Sequence, residues 1–185
     1  MVVKKLTLLL LAGIIAAQTT PKEETPQPYH DPEAYAIYSA IIQNEWANLP
    51  PRPERLFISD QTVILHKTCF TPHGESRAIL GPAIAEYLKV NQERRSLKPE
   101  FHIDKPYELV TASKTTAPFW IGFSGVGFND AKTVAVVSVD SVFPDIGSSN
   151  GSGTFIVLFK KNGKWQRGKW SGNDCAWVGS IASGH

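Results

Sequence analysis

Residues 154–170 have the sequence TFIVLFKKNGKWQRGKW, in which two stretches rich in apolar and aromatic residues flank Asn162 and Gly163. An Asn-Gly pair accepts the positive φ angles of a two-residue type I′ turn, so this segment predicts a β-hairpin. Counting outward from the turn places three pairs of residues opposite one another: Phe159 and Gln166, Val157 and Gly168, and Phe155 and Trp170. The hairpin is the strongest local prediction in the chain.

The two faces of this hairpin differ in composition. Phe155 and Phe159 fall on one face, because alternate residues of a strand point to opposite sides. The reverse face combines Lys160 with Ile156 and Leu158, and we expect it to be exposed or only partly covered. One core face and one mixed face are typical of an antiparallel sheet with helices on a single side.

The segments before the hairpin alternate between helical and strand patterns. Asp31 can cap a helix that begins at Pro32, and apolar and aromatic residues follow at helical spacing. The other predicted elements are a bulged strand or two short strands at 56–65, a helix at 82–96, and strands at 107–110, 119–123 and 133–142. The predicted fold class is α+β, an antiparallel sheet with two helices packed on one face.

The N-terminus has the features of a secretory signal peptide. Lys4 and Lys5 precede an apolar run at residues 6–15, which small residues follow. The run is too short to cross a membrane, which needs about 20 apolar residues. We therefore expect residues 1–17 to be removed, leaving a periplasmic or secreted protein without a membrane anchor.

The mature chain is expected to be one domain after a short leader. Residues 18–30 are rich in Pro, Thr and charge, a composition that cannot bury much surface, and so predict a flexible leader. Residues 31–180 have the size of a single ordinary domain.

The charge of the mature chain argues against a nucleic-acid partner. The sequence has 19 basic and 17 acidic residues, and removal of the signal peptide leaves 17 of each. A neutral surface of mixed sign has no broad attraction for nucleic acid or anionic membrane. The local basic cluster of Arg94, Arg95 and Lys98 is interpreted as solvating a helix end. The expected partner is therefore a protein or a small-molecule ligand.

The two cysteines are Cys69 and Cys175. Outside the cytoplasm an even number of cysteines favours a disulfide. The bridge would close a loop of roughly 100 residues, for which chain entropy predicts a stabilisation of about 4–5 kcal/mol. Two buried free thiols, or a reactive Cys69 paired with His73, stay open as alternatives.

Two resemblances follow from the C-terminal half. The ending FIVLFKKNGKW at residues 155–165 resembles the terminal hairpin of proteins with the nuclear-transport-factor-2-like fold, and an early helix containing Trp46 is compatible with that fold. The segment VGFNDAKTVAVV at residues 126–137, followed by a Gly/Ser-rich stretch and the hairpin, resembles uncharacterised exported bacterial proteins. Neither resemblance implies a reaction.

A metal site is not predicted. His66, Cys69 and His73 could approach one another in a turn. A zinc site needs three or four such ligands, and no second Cys/His pair accompanies these residues. They are interpreted as a surface turn containing a disulfide cysteine, and no cofactor is expected.

Acid–base chemistry has two candidate positions. His102 and Asp104 alternate on one side of a possible strand and could form a His–carboxylate dyad, although exposed strand polars explain them better. Asp140 interrupts a valine-rich strand, and a carboxylate facing a sheet-lined pocket could act as an acid or a base. Strand alternation can instead place Asp140 on the solvent side, and this interpretation is favoured.

Two classes of function stay open. The favoured class is a non-enzymatic binding or interaction module that uses the sheet, the tryptophan-rich C-terminus and a mobile Gly/Ser-rich connection at 145–153. The alternative is a small pocket enzyme or ligand carrier in which Asp140 works with a histidine, His66 or His102. Such an enzyme needs at least two convergent ionisable groups inside one cavity.

Overall fold

The computed structural model describes residues 26–46, 53–64, 74–145, 148–168 and 176–181. This part of the chain contains two α-helices, a short π-helix and eight strands. The helical elements are α1 at Pro32–Ile41, the π-helix at Ile42–Trp46 and α2 at Glu75–Val90. The strands are β1 at Leu56–Ser59, β2 at Tyr107–Val110, β3 at Trp120–Phe123, β4 at Gly127–Phe128, β5 at Val134–Asp145, β6 at Ser148–Lys161, β7 at Lys164–Arg167 and β8 at Ala176–Ile181.

The eight strands of the described residues form one mixed sheet. Its order is β2-β1-β3-β5-β6-β7, while β4 pairs with β5 and β8 pairs with β6. β1 runs parallel to β2 and to β3, and the other strand pairs are antiparallel. The predicted α+β class with a mostly antiparallel sheet is confirmed.

The predicted hairpin is confirmed in its turn and its register. Asn162 and Gly163 have φ angles of 50° and 75°, as a type I′ turn requires. Phe159 pairs with Gln166, and the Gly168 N–H donates to the Val157 carbonyl at 2.8 Å. The third expected pair includes Trp170, which lies outside the described residues.

Helix α1 begins where its sequence predicts. The Asp31 carboxylate accepts a hydrogen bond from the Glu33 N–H at 3.0 Å, and Pro32 occupies the first turn, where its missing N–H costs nothing. Tyr35, Tyr38, Ile37 and Ile41 are buried and form the core-facing side of the helix. The helix continues directly into the π-helix.

Helix α2 begins earlier than predicted. It starts at Glu75, not at Pro82, and it ends at Val90. Pro82 is exposed within the helix, so the carbonyl four residues before it loses its intrahelical bond. Leu80, Ala83 and Tyr87 form the buried stripe. Its packing against the sheet outweighs the helix-breaking tendency of proline.

The two strand predictions at 107–110 and 119–123 correspond to β2 and β3, the second beginning one residue later than expected. The predicted strand or strands at 56–65 correspond to the single short strand β1. After β1, Gln61 forms only an isolated bridge with Ser96. The structure therefore contains neither a bulged strand nor a strand pair within the described part of that segment.

Helices α1 and α2 pack against opposite faces of the sheet. Val137 of β5 belongs to the core cluster of α1, whereas its neighbour Val136 belongs to the cluster of α2. Strand β6 shows the same alternation, because Ile156 packs with α1 and Val157 with α2. The prediction that both helices pack on one face of the sheet is therefore wrong.

The reverse face of the hairpin is therefore core, not solvent-exposed. Ile156 and Leu158 are only 1% and 2% exposed. The basic residues of this face pair with acids of the α1 region: Lys160 Nζ contacts the Glu33 carboxylate at 2.7 Å, and Arg167 pairs with Glu45. The basic residues on this face therefore pair with the α1 region. From composition alone, such paired residues cannot be distinguished from residues exposed to water.

The Gly/Ser-rich segment is largely strand. From Ser148 onward its described residues belong to β6, with Gly151 opposite Val142 of β5 and Gly153 opposite Asp140. On its other side the same stretch pairs with β8. The expectation of a mobile connection at 145–153 is wrong because antiparallel partners on both sides satisfy this backbone.

The predicted leader at 18–30 extends too far at its C-terminal end. Pro28 forms a bridge with Ser96, and the Tyr29 N–H donates to the Ser96 carbonyl at 2.9 Å. Tyr29 is 7% exposed and belongs to the core cluster of α1. The Tyr29 side chain therefore packs into the domain, although the composition of residues 18–30 predicts a flexible leader.

Candidate functional site

Five buried polar residues lie between α2 and the sheet, and we call them the α2-face polar cluster. Each of them is at most 5% exposed. Polar groups in a protein core are unfavourable unless they form hydrogen bonds, so their contacts indicate what they do. The members are Tyr87, Asn91, Ser124, Ser138 and Asp140.

Asn91 ties the end of α2 to the loop after β3. Its Nδ2 donates to the Tyr87 carbonyl at 2.8 Å and to the Gly125 carbonyl at 3.0 Å. In return, the Gly125 N–H donates to Asn91 Oδ1 at 2.7 Å. The Asn91 side-chain amide therefore hydrogen-bonds to backbone groups, and its role is structural.

Ser124 links the sheet to α1. Its backbone N–H donates to the Ser138 carbonyl at 3.0 Å, and its hydroxyl oxygen accepts from the Ser138 N–H at 2.8 Å. From the other face, the Tyr38 hydroxyl donates to the Ser124 carbonyl at 2.7 Å. Burial raises the pKa of Tyr38 well above its usual value, which keeps this hydroxyl protonated as a donor.

Asp140 is buried on the α2 face of β5. It lies between Gly122 of β3 and Gly153 of β6, and Ser138 Oγ donates to its carboxylate at 3.3 Å. Its charge also contributes to raising the pKa of Tyr87, for which burial is the main cause. These contacts place Asp140 within the packed layer under α2.

Asp140 and His102 do not converge. His102 is exposed and donates its backbone N–H to Ser39 Oγ of α1 at 2.9 Å. It therefore lies on the α1 side of the sheet, whereas Asp140 faces α2. The catalytic pair that the alternative function would require is not assembled from these two residues.

The predicted strand geometry of His102 and Asp104 is wrong. Both residues are exposed, and the segment that contains them precedes β2 without belonging to any strand. Strand alternation therefore does not bring them to one side.

Several predicted site residues lie outside the described part of the chain. These are His66, Cys69, His73 and Cys175. The predicted Cys69–Cys175 disulfide and the readings of the His66–His73 turn stay predictions. Within the described ranges, no three His, Cys, Asp or Glu side chains are grouped as metal ligands.

A groove of about 670 Å³ lies beside β4, between α2 and the segment that leads into α1. Residues 126–128 join these two walls, because Gly127 packs directly against the backbone of α2 and the Val126 N–H donates to the Tyr29 hydroxyl. Its walls come from residues within 82–90 of α2, residues 29–31 and residues within 126–132, with Arg95 completing the lining.

Tyr29 and Phe128 give the groove an aromatic wall. The Tyr29 hydroxyl accepts a hydrogen bond from the Val126 N–H at 3.0 Å. Burial raises the pKa of Tyr29 to about 12, while the Val126 N–H and the Arg95 charge oppose that rise. The hydroxyl is therefore neutral at physiological pH.

Most of the charges around the groove neutralise one another. Lys132 Nζ contacts the Asp31 carboxylate at 3.1 Å, and Lys89 Nζ contacts the Glu86 carboxylate at 3.3 Å. Each of these pairs is partly exposed, so the pairs contribute little stability. Their effect on the groove is to leave it with little net charge from these four side chains.

Arg95 differs from the other cations of the groove. Its backbone is held by Thr62, since the Arg95 N–H donates to Thr62 Oγ1 at 3.0 Å and the Arg95 carbonyl accepts from the Thr62 N–H at 2.9 Å. Its Nε is buried, and no described residue accepts a hydrogen bond from it. A buried guanidinium donor without an acceptor is unfavourable. Because Arg95 also lines the groove, the guanidinium fork can meet an acceptor from outside there.

Comparisons with protein-family models, curated proteins and solved structures find no match to this chain. The resemblances to the nuclear-transport-factor-2-like fold and to exported bacterial proteins therefore stay predictions. In the described residues, no helix combines the length and the apolar character that a membrane crossing requires.

Sequence reasoning missed both central residues of the groove. Tyr29 falls in a segment whose composition predicts a flexible leader, and Arg95 falls in a basic cluster interpreted as the solvation of a helix end. Helix α2 ends at Val90, so Arg95 belongs to the connection after it. The one available signal was an aromatic residue at the end of an otherwise polar leader.

Proposed function

We propose that this protein is an exported, non-enzymatic binding module that holds a small-molecule ligand in the groove between α2 and the segment leading into α1. The observation that carries the proposal is the groove itself. Its volume of about 670 Å³ falls within the range of roughly 300–1,000 Å³ that is usual for small-molecule sites. Export rests on the predicted signal peptide.

The composition of the groove supports ligand binding. Ligand sites combine apolar and aromatic walls with a few polar groups that orient the ligand. Tyr29, Phe128 and Val126 supply the apolar wall, and the Arg95 side chain supplies a polar group with unused donor capacity.

The binding surface considered from the sequence receives less support. A partner at the Gly/Ser-rich segment would need free backbone groups or a mobile loop. The described residues of that segment are paired with β5 on one side and with β8 on the other. The groove is therefore the better candidate.

An acid–base enzyme also receives less support. General acid–base catalysis needs two positioned groups within reach of one substrate. Asp140 is buried under α2, and His102 lies exposed on the side of α1. The two sides are separated by the sheet.

The proposal is tested by blocking the groove. Ala85 is exposed on α2 and lines the groove, so Ala85→Trp should fill it without disturbing the core. Ala78→Trp provides the matched control, because Ala78 is exposed on the same helix outside the groove lining. The probe is 8-anilinonaphthalene-1-sulfonate, whose fluorescence rises when its rings enter an apolar site.

We expect saturable one-site binding of this probe to the wild type and to Ala78→Trp, and loss of at least about tenfold in affinity for Ala85→Trp. Circular dichroism would establish that both variants fold. Equal binding by all three proteins, or no saturable binding by the wild type, would show that the groove is not a ligand site.

A further inference from the structure

The environment of Arg95 indicates the chemistry of the ligand. A guanidinium has five N–H donors in a planar fork and no acceptor, and it matches carboxylate and phosphate oxygens geometrically. Among the described residues the Nε of Arg95 has no hydrogen-bond partner, and Arg95 lines an open groove.

The position of Arg95 is held by the fold. Thr62 hydrogen-bonds to both the N–H and the carbonyl of Arg95, so the backbone on which the guanidinium is carried is fixed from both sides. A site on a fixed backbone loses less conformational entropy when a ligand binds.

The remaining charges do not compete strongly for this guanidinium. Asp31 contacts Lys132 and also accepts from the Glu33 N–H, while Glu86 contacts Lys89. Asp130 is exposed and lines the groove as its remaining acidic residue. None of these carboxylates forms a salt bridge with Arg95 among the ion pairs of the described residues.

We propose that Arg95 anchors the ligand through an oxyanion, a carboxylate or a phosphate, whose apolar or aromatic body lies against Tyr29 and Phe128. This inference rests on the proposed function, because it specifies the ligand class of the same groove. Charge-assisted hydrogen bonds from a guanidinium are among the strongest in proteins, so the anchor should determine which ligands bind.

The test compares two probes that differ only in the anionic group. The probe 8-anilinonaphthalene-1-sulfonate carries a sulfonate, and N-phenyl-1-naphthylamine has the same rings without it. Arg95→Gln should weaken binding of the sulfonate by about tenfold and leave binding of the neutral probe nearly unchanged. Arg95→Lys, which keeps the charge but loses the fork, should give an intermediate loss.

Lys114→Gln is the matched control, because it removes a positive charge from an exposed position outside the groove lining. This substitution should change the affinity for either probe by less than about threefold. A similar loss in Lys114→Gln and Arg95→Gln would indicate general electrostatic attraction and would overturn the assignment of Arg95.

Competition with benzoate and with phenyl phosphate distinguishes the two oxyanions. Displacement of the sulfonate probe by either compound from the wild type, with that displacement lost in Arg95→Gln, supports the anchor and identifies the preferred group. Failure of both compounds to displace it contradicts the oxyanion assignment.

The outcomes separate this inference from the proposed function. If Ala85→Trp blocks both probes but Arg95→Gln affects them equally, the groove binds ligands and the Arg95 anchor is wrong. If Ala85→Trp blocks neither probe, the groove itself is not the site.

Discussion

The two faces of the sheet are built from the same strands but packed in different ways. The α1 face is a continuous apolar and aromatic core, in which Tyr38 lies 4.6 Å from Phe123 between ring centroids. The α2 face has a smaller apolar cluster, and beside it lies the α2-face polar cluster. One face therefore supplies a large part of the hydrophobic core, while the other combines apolar packing with buried polar residues.

The largest expected effect concerns the close approach of α2 to β4. A Cβ at Gly127 would lie 2.3 Å from the Ala83 carbonyl oxygen and 2.3 Å from the Tyr87 nitrogen, both backbone atoms of α2. Gly127→Val should therefore displace the helix and destabilise the protein by about 3 kcal/mol or more. Urea unfolding followed by circular dichroism would measure this loss.

Gly81→Ala is the control for the glycine substitution. A Cβ at Gly81 meets nothing within 4 Å, and alanine is the better helix former. A Cβ directly before Pro82 crowds the proline ring, which opposes this gain in helix propensity, so the variant should differ from the wild type by less than about 1 kcal/mol. If Gly127→Val were as stable as the wild type, α2 would not be packed on β4 as described.

A matched pair of valines compares the packing of the two faces directly. Val136 and Val137 are neighbours on β5, both are 0% exposed, and they face α2 and α1 respectively. Each substitution to alanine should cost about 2 kcal/mol, from lost burial and from the cavity that remains. Guanidinium unfolding of the two variants side by side would measure both values. A cost near zero for Val136→Ala alone would mean that only the α1 face is a true core.

Substituting phenylalanine for two buried tyrosines compares side-chain hydrogen bonding on the two faces of the sheet. The Tyr38 hydroxyl donates to the Ser124 carbonyl at 2.7 Å, so Tyr38→Phe should destabilise the protein by about 1–2 kcal/mol. The Tyr87 hydroxyl is buried and lies near Ser124, but no hydrogen bond to it is formed within the described ranges. Tyr87→Phe should therefore be neutral or stabilising by up to about 1 kcal/mol. Thermal unfolding at constant pH gives both differences, and equal losses would show that the Tyr87 hydroxyl has a partner.

The smallest expected effect concerns the polar contacts that hold α1 to the hairpin. Lys160 Nζ donates to Glu33 at 2.7 Å and the Trp165 indole N–H donates to it at 2.8 Å, and together these bonds lower the pKa of the Glu33 carboxyl below its usual 4.5. A carboxyl with a lowered pKa stabilises the fold above its unfolded-state pKa. Because the group is partly exposed, Glu33→Gln should cost up to about 1 kcal/mol at pH 7.

The pH dependence gives the sign of this contribution. The advantage of the wild type over Glu33→Gln should be constant above about pH 6 and should shrink below pH 4.5, as Glu33 becomes protonated in the folded state. Unfolding measured at pH 7 and pH 3 tests this. Glu108→Gln, which removes a pair with Arg55 that is more than half exposed, should change stability little at either pH. An equal difference between wild type and Glu33→Gln at both pH values would contradict the assignment.

The elements with strong local signals were predictable. The Asn-Gly turn and the Asp31 cap depend on residues within a few positions of each other, and both are confirmed. Helix α2 was predicted with the wrong start, because Pro82 is a strong breaker on its own and only the packing of Leu80 and Ala83 shows that the helix continues through it.

The groove was not predictable in the same way. Tyr29 becomes part of the wall only because Ser96 pairs with residues 27–29 across a long separation in sequence. The backbone of Arg95 is held in place by Thr62, more than thirty positions away. Neither contact produces a periodic pattern in the sequence, so neither could be predicted from one sequence alone.

The turn, the cap and the alternation of the two-sided strands follow from local sequence, because they depend on backbone preferences and on neighbouring side chains. Which helix covers which side of the sheet follows only from contacts between distant segments. Both sides of β5 and β6 are apolar enough to be covered, and the basic residues Lys160 and Arg167 look solvent-facing until Glu33 and Glu45 pair with them. The positions of the helices therefore depend on long-range burial and charge pairing, that is, on where segments distant in sequence meet.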